Sequence, residues 1–256
     1  MQLLINGKVK SVKKTMIDTG YYYGYGLFET ILVREGIPIF VEAHLKRLNE
    51  GLMTIGINKE VSVEQVRQGI LLLKCYNGAL KINVSEKQVV LSVRGTTYTA
   101  EHYAHGARLK VSKVLRNPTS PLVYLKSMNY MDNILEMRQA KEEGWQDVLF
   151  TNYQGEVCET AVANIFFIKE GQIITPKVSS GLLNGVVRQW LIDTNQVIER
   201  VILAEEIPSM EGAFITNSLL GLMKVTTIGQ KTFEGDHAIL QTLTKAYVKR
   251  LKAFEA

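Results

Sequence analysis

The amino-acid sequence predicts an α+β or α/β protein built from two domains. Strand-like segments joined by short turns alternate with helical segments along the 256 residues, which favours a mainly antiparallel sheet in the first half. The polar stretch 116–121, RNPTSP, interrupts this pattern with two prolines. We therefore predict a small N-terminal α+β domain at 1–115, an interdomain linker at 116–123 and a larger C-terminal domain at 124–256.

The composition excludes several classes of protein. With 46% hydrophobic and 21% charged residues, the chain is an ordinary globular sequence that can bury a sizeable core. The formal charge is +5, but the lysines are scattered, which argues against a nucleic-acid-binding groove. Cys75 and Cys158 lack metal-ligand spacing, so we predict reduced thiols and no metal site. No apolar run reaches the length of a membrane span, and we expect a soluble cytoplasmic protein without membrane partners.

The elements of the N-terminal half follow from alternation, apolar period and turn residues. The predicted strands are 2–6, 9–12, 23–30 running into 31–33, 37–40, 80–84, 89–93 and 108–114. Apolar residues recurring every three or four positions predict helices at 42–55 and 63–76. Ser62 followed by Gln65 is a plausible capping box for the second helix.

The C-terminal half is organised around the stretch 155–188. Strand-like runs at 164–169 and 172–175 flank Glu170-Gly171 and predict a hairpin. A glycine-bearing turn at 181–185 opens a predicted helix at 186–193, and the free backbone N–H groups of such a helix start form a natural seat for a phosphate. The remaining predicted elements are a helix at 133–143, strands at 147–151 and 213–216, and a closing helix at 237–254.

The segment 175–189, TPKVSSGLLNGVVRQ, closely resembles the phosphate-binding turn of the fold-type IV pyridoxal-phosphate enzymes. This family contains the branched-chain and D-amino-acid aminotransferases and aminodeoxychorismate lyase. Its members carry a lysine in a K-x-x-N context some thirty residues before a carboxylate, and Lys126-Ser-Met-Asn129 stands 33 positions before Glu159. The resemblance covers nearly the whole chain. It implies a fold-type IV enzyme, with pyridoxal 5'-phosphate bound between two domains, that forms a homodimer.

The resemblance assigns three residues to the cofactor. Lys126 would hold it covalently and shuttle a proton at the substrate carbon. Glu159 would face the pyridine nitrogen and keep it protonated. Arg47, in the family-like segment 44–48 (HLKRL), would bind the phosphate, as a planar guanidinium suits an anion. Without this context, Lys126 would be interpreted as a surface lysine, Glu159 as a turn glutamate and Arg47 as part of a solvated helix face. We expect Lys46 to occupy that solvated face.

Other positions of the family site also have counterparts. Val186 and Val187 would add backbone N–H groups to the phosphate, and Asn217 and Ser218 match a hydroxyl-bearing turn that also holds it. Tyr23 and Phe28 fall where the family places the walls of the active site. The remaining tyrosines of this stretch are interpreted as packing residues, namely Tyr21, Tyr22 and Tyr25.

Position 30 favours one branch of the family. By the resemblance, branched-chain aminotransferases have a glycine at this position and aminodeoxychorismate lyases have a threonine. This chain has Thr30. The segments 80–85 and 216–225 also look like the lyase, and the R-x-H pair of D-amino-acid aminotransferases is missing after Arg94. We therefore predict a lyase, with Lys126 and Thr30 as catalytic residues, that converts 4-amino-4-deoxychorismate to 4-aminobenzoate and pyruvate for folate synthesis. The alternatives are a branched-chain or D-amino-acid aminotransferase and a cofactor-carrying binding protein without catalysis.

One departure from the lyase pattern concerns the substrate carboxylates. In the lyases, a long loop bearing glycine and arginine follows the 80–85 strand and helps to hold these groups. Here only Glu86-Lys87-Gln88 joins Ser85 to the next strand. Lys81 or Lys87 would then have to supply the missing charge, and we take Lys81 as the candidate substrate-binding residue.

Overall fold

The computed structural model describes residues 2–5, 8–11, 17–96 and 98–255. In chain order its strands are β1 (Gln2–Ile5), β2 (Lys8–Ser11), β3 (Gly26–Arg34), β4 (Ile37–Pro38), β5 (Gly78–Ser85), β6 (Val89–Arg94), β7 (Ala107–Val111), β8 (Asp147–Thr151), β9 (Val157–Thr160), β10 (Asn164–Lys169), β11 (Gln172–Pro176), β12 (Val197–Arg200), β13 (Gly212–Asn217), β14 (Gly221–Ile228) and β15 (Lys231–Thr232). Its α-helices are α1 (Thr19–Tyr23), α2 (Val41–Thr54), α3 (Val63–Leu72), α4 (Ala100–His105), α5 (Met131–Glu142), α6 (Val186–Thr194) and α7 (Ala238–Glu255). None of the helices described is long and apolar enough to cross a membrane.

The N-terminal half contains a small antiparallel sheet with the strand order β4-β3-β5-β6. Along β3, Leu27, Ile31 and Val33 pack into a buried core with α2 and α3. The intervening residues point to the opposite face because side chains alternate along a strand. Phe28 and Thr30 therefore share a face, and Thr30 pairs with Lys81 of β5 across the ladder.

The predicted helices of this half are confirmed with shifted ends. The capping box of α3 is present, since Gln65 N–H donates to Ser62 Oγ and Ser62 N–H to Gln65 Oε1. The helix ends at Leu72 rather than at 76, because Lys74 adopts a left-handed φ of 52° that no helix can continue. The strand predicted from 23 begins only at Gly26, because Gly24, at φ 66°, ends the short helix α1 before it.

The predicted N-terminal hairpin is also present, as β1 and β2 pair antiparallel. Its turn was predicted at Gly7 and Lys8, but Lys8 already belongs to β2. Asn6, Gly7 and Val12 of the predicted hairpin lie outside the described residues.

The larger sheet is mixed and follows the order β12-β11-β10-β13-β14-β7-β8-β9, with β15 beside β14. Strand β7 pairs in parallel with both β14 and β8. The sequence had placed this strand before the linker, but its hydrogen bonds join it to strands of the C-terminal half. The domain boundary at 115 stays a prediction, and the sheet itself already begins at Ala107.

Helices α6 and α7 cover one face of the larger sheet and connect it to the smaller one. Phe40, which precedes α2, stacks on Tyr247 of α7 and lies 6.3 Å from the ring of Trp190 of α6. Ile39 and Phe40 belong to the same buried cluster as the sheet residues Phe166 and Phe214. The start of α2 is therefore anchored next to α6.

The predicted hairpin of β10 and β11 is confirmed, and its turn residues Glu170 and Gly171 have φ values of 52° and 70°. Strand β9, which carries Glu159, was not predicted, since four residues of small and polar character give too short a pattern. The predicted linker is ordered. Arg116 forms a β-bridge with Asn152, and a 3-10 helix occupies Pro121–Tyr124.

Candidate active site

A cavity of about 770 Å³ lies between the two sheets and collects most of the residues that the sequence singled out. Its lining includes Phe28, Thr30, Arg47, Lys81, Lys126, Glu159, Val186, Val187, Asn217 and Ser218. Tyr23 is not brought in, because it ends α1 with 75% of its surface exposed. Its neighbours Tyr21 and Tyr22 are 75% and 60% exposed in the single chain, so their interpretation as packing residues stays a prediction.

Lys126 is held in the cavity by backbone pairing with β3. Phe28 N–H donates to Lys126 O at 2.9 Å, and Met128 N–H donates to Gly26 O at 2.9 Å. The Lys126 Nζ atom lies 4.6 Å from the centre of the Phe28 ring. Burial, with Arg47 nearby, lowers the pKa of Lys126 to about 8. A substantial fraction of this amine is therefore neutral and nucleophilic near physiological pH.

Glu159 lies across the cavity on β9, with 13% of its side chain exposed. Leu183 N–H donates to its Oε2 at 3.1 Å, and Arg116 Nη2 lies 3.5 Å from its Oε1. Burial raises the pKa of this carboxyl group to about 7, although Arg116 and the Leu183 N–H favour the charged form. A protonated ring nitrogen placed against Glu159 would add a second positive charge beside Arg116 and would favour the charged form of the carboxylate.

Arg116 was assigned to the linker by the sequence, but it contributes to the site. Its guanidinium lies over the Phe150 ring, 3.9 Å from the ring centre, while it approaches Glu159. Its Nε is buried and has no hydrogen-bond partner among the described residues.

Arg47 projects from α2 into a hydrogen-bond network. Nε and Nη2 donate to the two oxygens of Glu29 at 2.7 and 2.8 Å, and Nη1 donates to Asn184 O at 2.9 Å. Lys46, one position earlier, is 76% exposed and takes the solvated face as expected. The contact with Asn184 brings the guanidinium to the start of α6, where the sequence predicts the phosphate.

The N-terminus of α6 is open to the cavity. Gly185 is its N-cap and gives it no side-chain cap, so the amide hydrogens of Val186 and Val187 lack the partner that a capping side chain supplies. A Cβ on Gly185 would collide with Asn164 Oδ1, while Asn164 Nδ2 donates to Leu183 O at 2.8 Å. Only glycine fits this turn without displacing Asn164.

The turn after β13 uses its three polar residues differently. Asn217 Oδ1 accepts from Leu219 N–H and Leu220 N–H, which closes the turn. Ser218 Oγ lies 3.1 Å from His44 Nε2. Thr216 Oγ1 lines the cavity, is buried, and has no hydrogen-bond partner among the described residues.

These residues fit pyridoxal phosphate. Arg47, the open start of α6 and the unpartnered Thr216 hydroxyl would hold the phosphate, because together they offer cationic and neutral donors in one corner. Glu159 would take the ring nitrogen and Lys126 the aldehyde carbon. Ser218 and Asn217 stand beside this corner, with their side chains engaged as described.

The wall opposite Glu159 is formed by the cavity face of β3 and β5. The Lys81 Nζ lies 4.5 Å from the centre of the Phe28 ring. Burial lowers the pKa of Lys81, and the charge of Arg94 lowers it further. The ring of Tyr130 meets Phe28 edge-on at 5.4 Å between ring centres.

Sequence reasoning missed Glu29, Arg116 and Tyr130 and gave His44 no role of its own, whereas Thr216 belongs to the hydroxyl-bearing turn 216–218 that the sequence predicted at the phosphate. A signal existed for Glu29, which occupies a core-facing position of β3, two residues from both Leu27 and Ile31. A charged residue at such a position needs a partner. The other residues owe their place to contacts between distant segments.

Comparisons with known proteins agree with this geometry. The family described as amino-transferase class IV matches residues 26–228. The aminodeoxychorismate lyase of Bacillus subtilis (strain 168) is 26% identical, over 97% of this chain and 95% of its own length. A candidate branched-chain-amino-acid aminotransferase of Rickettsia felis is also 26% identical, over 88% of this chain and 86% of its own length. The crystal structure of a candidate 4-amino-4-deoxychorismate lyase from Legionella pneumophila matches with a TM-score of 0.87 at 30% identity, covering 94% of this chain and 97% of the other.

Proposed function

The chain belongs to the amino-transferase class IV family of pyridoxal-phosphate-dependent enzymes, and within that family we propose that it is a 4-amino-4-deoxychorismate lyase that forms 4-aminobenzoate and pyruvate. Family membership confirms the predicted fold-type IV architecture and the cofactor. It does not choose between lyase and aminotransferase, because relatives of both kinds are 26% identical to this chain.

The position of Thr30 carries the proposal. Thr30 lines the cavity on the same face of β3 as Phe28, whose ring lies beside Lys126. A lyase must help an oxygen leave from the carbon next to the one that loses its proton. A hydroxyl at this wall can donate or position a proton there, and general acid catalysis of this kind is typically worth ~10²–10⁴-fold. An aminotransferase has no departing oxygen and no chemical need for this hydroxyl.

Each residue of the site then has a defined task. When bound, pyridoxal phosphate withdraws electrons from the substrate carbon that carries the amino group. Lys126, as a neutral amine, removes the proton from C4 of the substrate. The C3–O bond breaks, Thr30 assists protonation of the leaving oxygen, and the enolpyruvate that leaves becomes pyruvate while the ring becomes aromatic. Glu159 keeps the ring nitrogen of the cofactor protonated, and Arg47 holds the phosphate.

The charge of the cavity supports a substrate with two carboxylates. Six basic and two acidic side chains line it among the residues described. Lys81 and Arg94 stand on the cavity face of β5 and β6, and no acidic residue is paired with either in the described part of the chain. We infer that they replace the missing long loop in holding the substrate carboxylates.

Lys87 is less suited to this task. Its backbone N–H donates to Asp18 Oδ2 at 3.0 Å, which ties the short β5–β6 connection to the start of α1. Lys87 is absent from the described lining of the cavity.

Thr30→Val and Thr30→Ser test the proposal together. Valine keeps the shape and removes the hydroxyl, and we expect 4-aminobenzoate formation to fall at least ~10-fold with cofactor binding unchanged. Serine keeps the hydroxyl and should retain most of the rate. The steady-state rate of 4-aminobenzoate release is the measurement. Equal rates for the valine variant and the unchanged protein would make the hydroxyl structural and remove the support for a lyase over an aminotransferase.

We also infer a homodimer. Several large apolar side chains at the cavity are strongly exposed in the single chain: Leu115 at 52%, Leu122 at 46% and Met131 at 66%. Tyr21 and Tyr22 are strongly exposed as well. Exposed apolar surface of this kind often marks an interface. Light scattering should give twice the mass of the chain, and a monomeric mass at micromolar concentration would refute the dimer.

A further inference from the structure

Arg47 has its donors divided between the protein and the cavity. An arginine side chain offers five N–H groups. Three of them are taken within the described residues, two by the Glu29 carboxylate and one by the Asn184 carbonyl. This leaves one N–H on each terminal nitrogen of a guanidinium that lines the cavity. Charge-assisted N–H groups of this kind are strong donors to phosphate oxygens.

Glu29 is the group that fixes this division. Its side chain is fully buried, with 0% exposed, on the face of β3 that packs against α2. Burial alone would raise the pKa of Glu29, but Arg47 and His44 beside it hold the pKa well below its usual range. The carboxylate is therefore ionised, and an ionised carboxylate can only accept hydrogen bonds.

His44, a buried residue of α2, holds the same carboxylate from a second direction. His44 Nδ1 lies 2.7 Å from Glu29 Oε2, so Nδ1 carries the proton and donates it to the carboxylate. Burial lowers the pKa of His44, which favours the neutral ring and leaves Nε2 as an acceptor. Ser218 Oγ, 3.1 Å from Nε2, then donates to His44. The only hydrogen of the Ser218 hydroxyl then points at His44, which leaves Arg47 as the charged phosphate donor that Glu29 holds.

We propose that Glu29, itself fixed by His44, is a positioning residue that locks Arg47 in the orientation that receives the phosphate of the cofactor. The inference requires Arg47 to be a phosphate ligand. It does not depend on whether the enzyme is a lyase or an aminotransferase.

Glu29 affects the phosphate in two opposing ways. Its negative charge partly cancels that of Arg47, which by itself would weaken phosphate binding. Its two acceptor oxygens remove the rotational freedom of the guanidinium, which strengthens binding by lowering the entropy lost on association. The proposal states that orientation outweighs charge cancellation, so the sign of one measured affinity change decides it.

Glu29→Gln is the test, because the amide keeps the size but offers only one acceptor oxygen and places an NH2 group against Arg47 or His44. We measure binding of pyridoxal phosphate and of pyridoxal to the cofactor-free full-length protein. Pyridoxal phosphate should bind ~10-fold more weakly, while pyridoxal, which lacks the phosphate, should change by less than about twofold. Glu50→Gln is the matched control, since Glu50 lies exposed on α2 and pairs only loosely with Lys46 at 4.0 Å.

Two outcomes would overturn the proposal. Unchanged or tighter binding of pyridoxal phosphate would mean that charge cancellation dominates. Parallel weakening of both ligands, together with a lower free energy of unfolding, would reduce Glu29 to a structural residue.

Arg47→Ala separates this inference from its premise. If Arg47→Ala leaves pyridoxal phosphate affinity unchanged, Arg47 is not a phosphate ligand and the premise fails. If affinity falls, adding Glu29→Gln to Arg47→Ala should cause little further loss, because the residue to be positioned is gone. The double variant should also be more stable than Arg47→Ala alone, since it no longer buries a carboxylate that has lost its arginine. An equal loss of affinity from Glu29→Gln in both backgrounds would contradict action through Arg47.

Discussion

Lys126 and Glu159 share one cavity with pKa values that burial moves toward neutrality. The pKa of Lys126 is lowered to about 8 and that of Glu159 is raised to about 7, because burial disfavours the charged form of each group. Arg47 adds to the first shift and Arg116 opposes the second. An amine that is partly neutral at physiological pH can remove a proton. A buried carboxylate gains a counter-charge from a protonated ring nitrogen.

The shift of Glu159 makes the stability of the cofactor-free protein depend on pH. The pKa of a glutamate side chain is 4.5 when it is fully solvated, and that of Glu159 is about 7 in the fold, so the folded state binds more protons than the unfolded state between these values. Stability contributed by this group is therefore lost as pH rises through that window. Glu159→Gln removes the titration, and we expect the variant to gain at most about 3 kcal/mol over the unchanged protein between pH 4 and pH 8.

Denaturant unfolding of both cofactor-free proteins at the two pH values measures this gain. Glu205→Gln is a suitable control because Glu205 is exposed and lies outside the cavity. A difference between Glu159→Gln and the unchanged protein that is the same at pH 4 and pH 8 would show that Glu159 titrates normally.

The placement of Arg47, Lys126 and Glu159 at one cavity agrees with the sequence analysis, because their spacing matched a known family. Their individual roles remain predictions. Glu29 and Tyr130 could not be assigned in the same way. Their contacts depend on which face of β3 meets α2 and on how the chain after Lys126 turns, and neither is encoded in a short motif.

At the scale of elements, the turn before α6 joins the proposed phosphate site to the fold. Gly185 begins the helix at φ −70°, a value open to any residue, so its requirement for glycine is steric. The close neighbour is Asn164 Oδ1, and Asn164 in turn holds Leu183 O. A side chain at 185 would displace Asn164, the turn, or both.

Gly185→Ala should therefore destabilise the protein by roughly 1–3 kcal/mol, as overpacking typically does, and weaken pyridoxal phosphate binding by shifting the amides of Val186 and Val187. Unfolding free energy and cofactor affinity are the two measurements. Gly95→Ala is the control, since a Cβ there meets nothing within 4 Å. Equal behaviour of the two variants would mean that Asn164 moves aside without cost.

Most elements with long periodic patterns were predictable from sequence, and short ones were not. The exception is the eight-residue strand β14, which the sequence did not predict. The β10–β11 hairpin follows from two apolar runs around Glu170-Gly171, and α2 follows from its apolar stripe. Strands β9 and β12 have four residues each and carry no readable alternation. They exist because the neighbouring strands offer hydrogen-bond partners, so tertiary structure decides them.

At the scale of the whole molecule, two sheets enclose one basic cavity. The two-domain division and the phosphate site were predicted because prolines, glycines and a family-like turn mark them, and both stay predictions. The parallel insertion of β7 between β14 and β8 could not be predicted, since strand order in a sheet is not contained in local pattern. The collection of Thr30, Lys81 and Arg94 on one wall likewise depends on the register of β3, β5 and β6.

The central claim is that this cavity eliminates pyruvate rather than exchanging amino groups. The most direct test is to incubate the purified holoenzyme with 4-amino-4-deoxychorismate in the absence of any 2-oxo acid and to quantify both products. The proposal predicts catalytic turnover with equal amounts of 4-aminobenzoate and pyruvate, many times the enzyme concentration. An enzyme that releases no pyruvate under these conditions, but converts amino acids once a 2-oxo acid is added, would be an aminotransferase and would contradict the account.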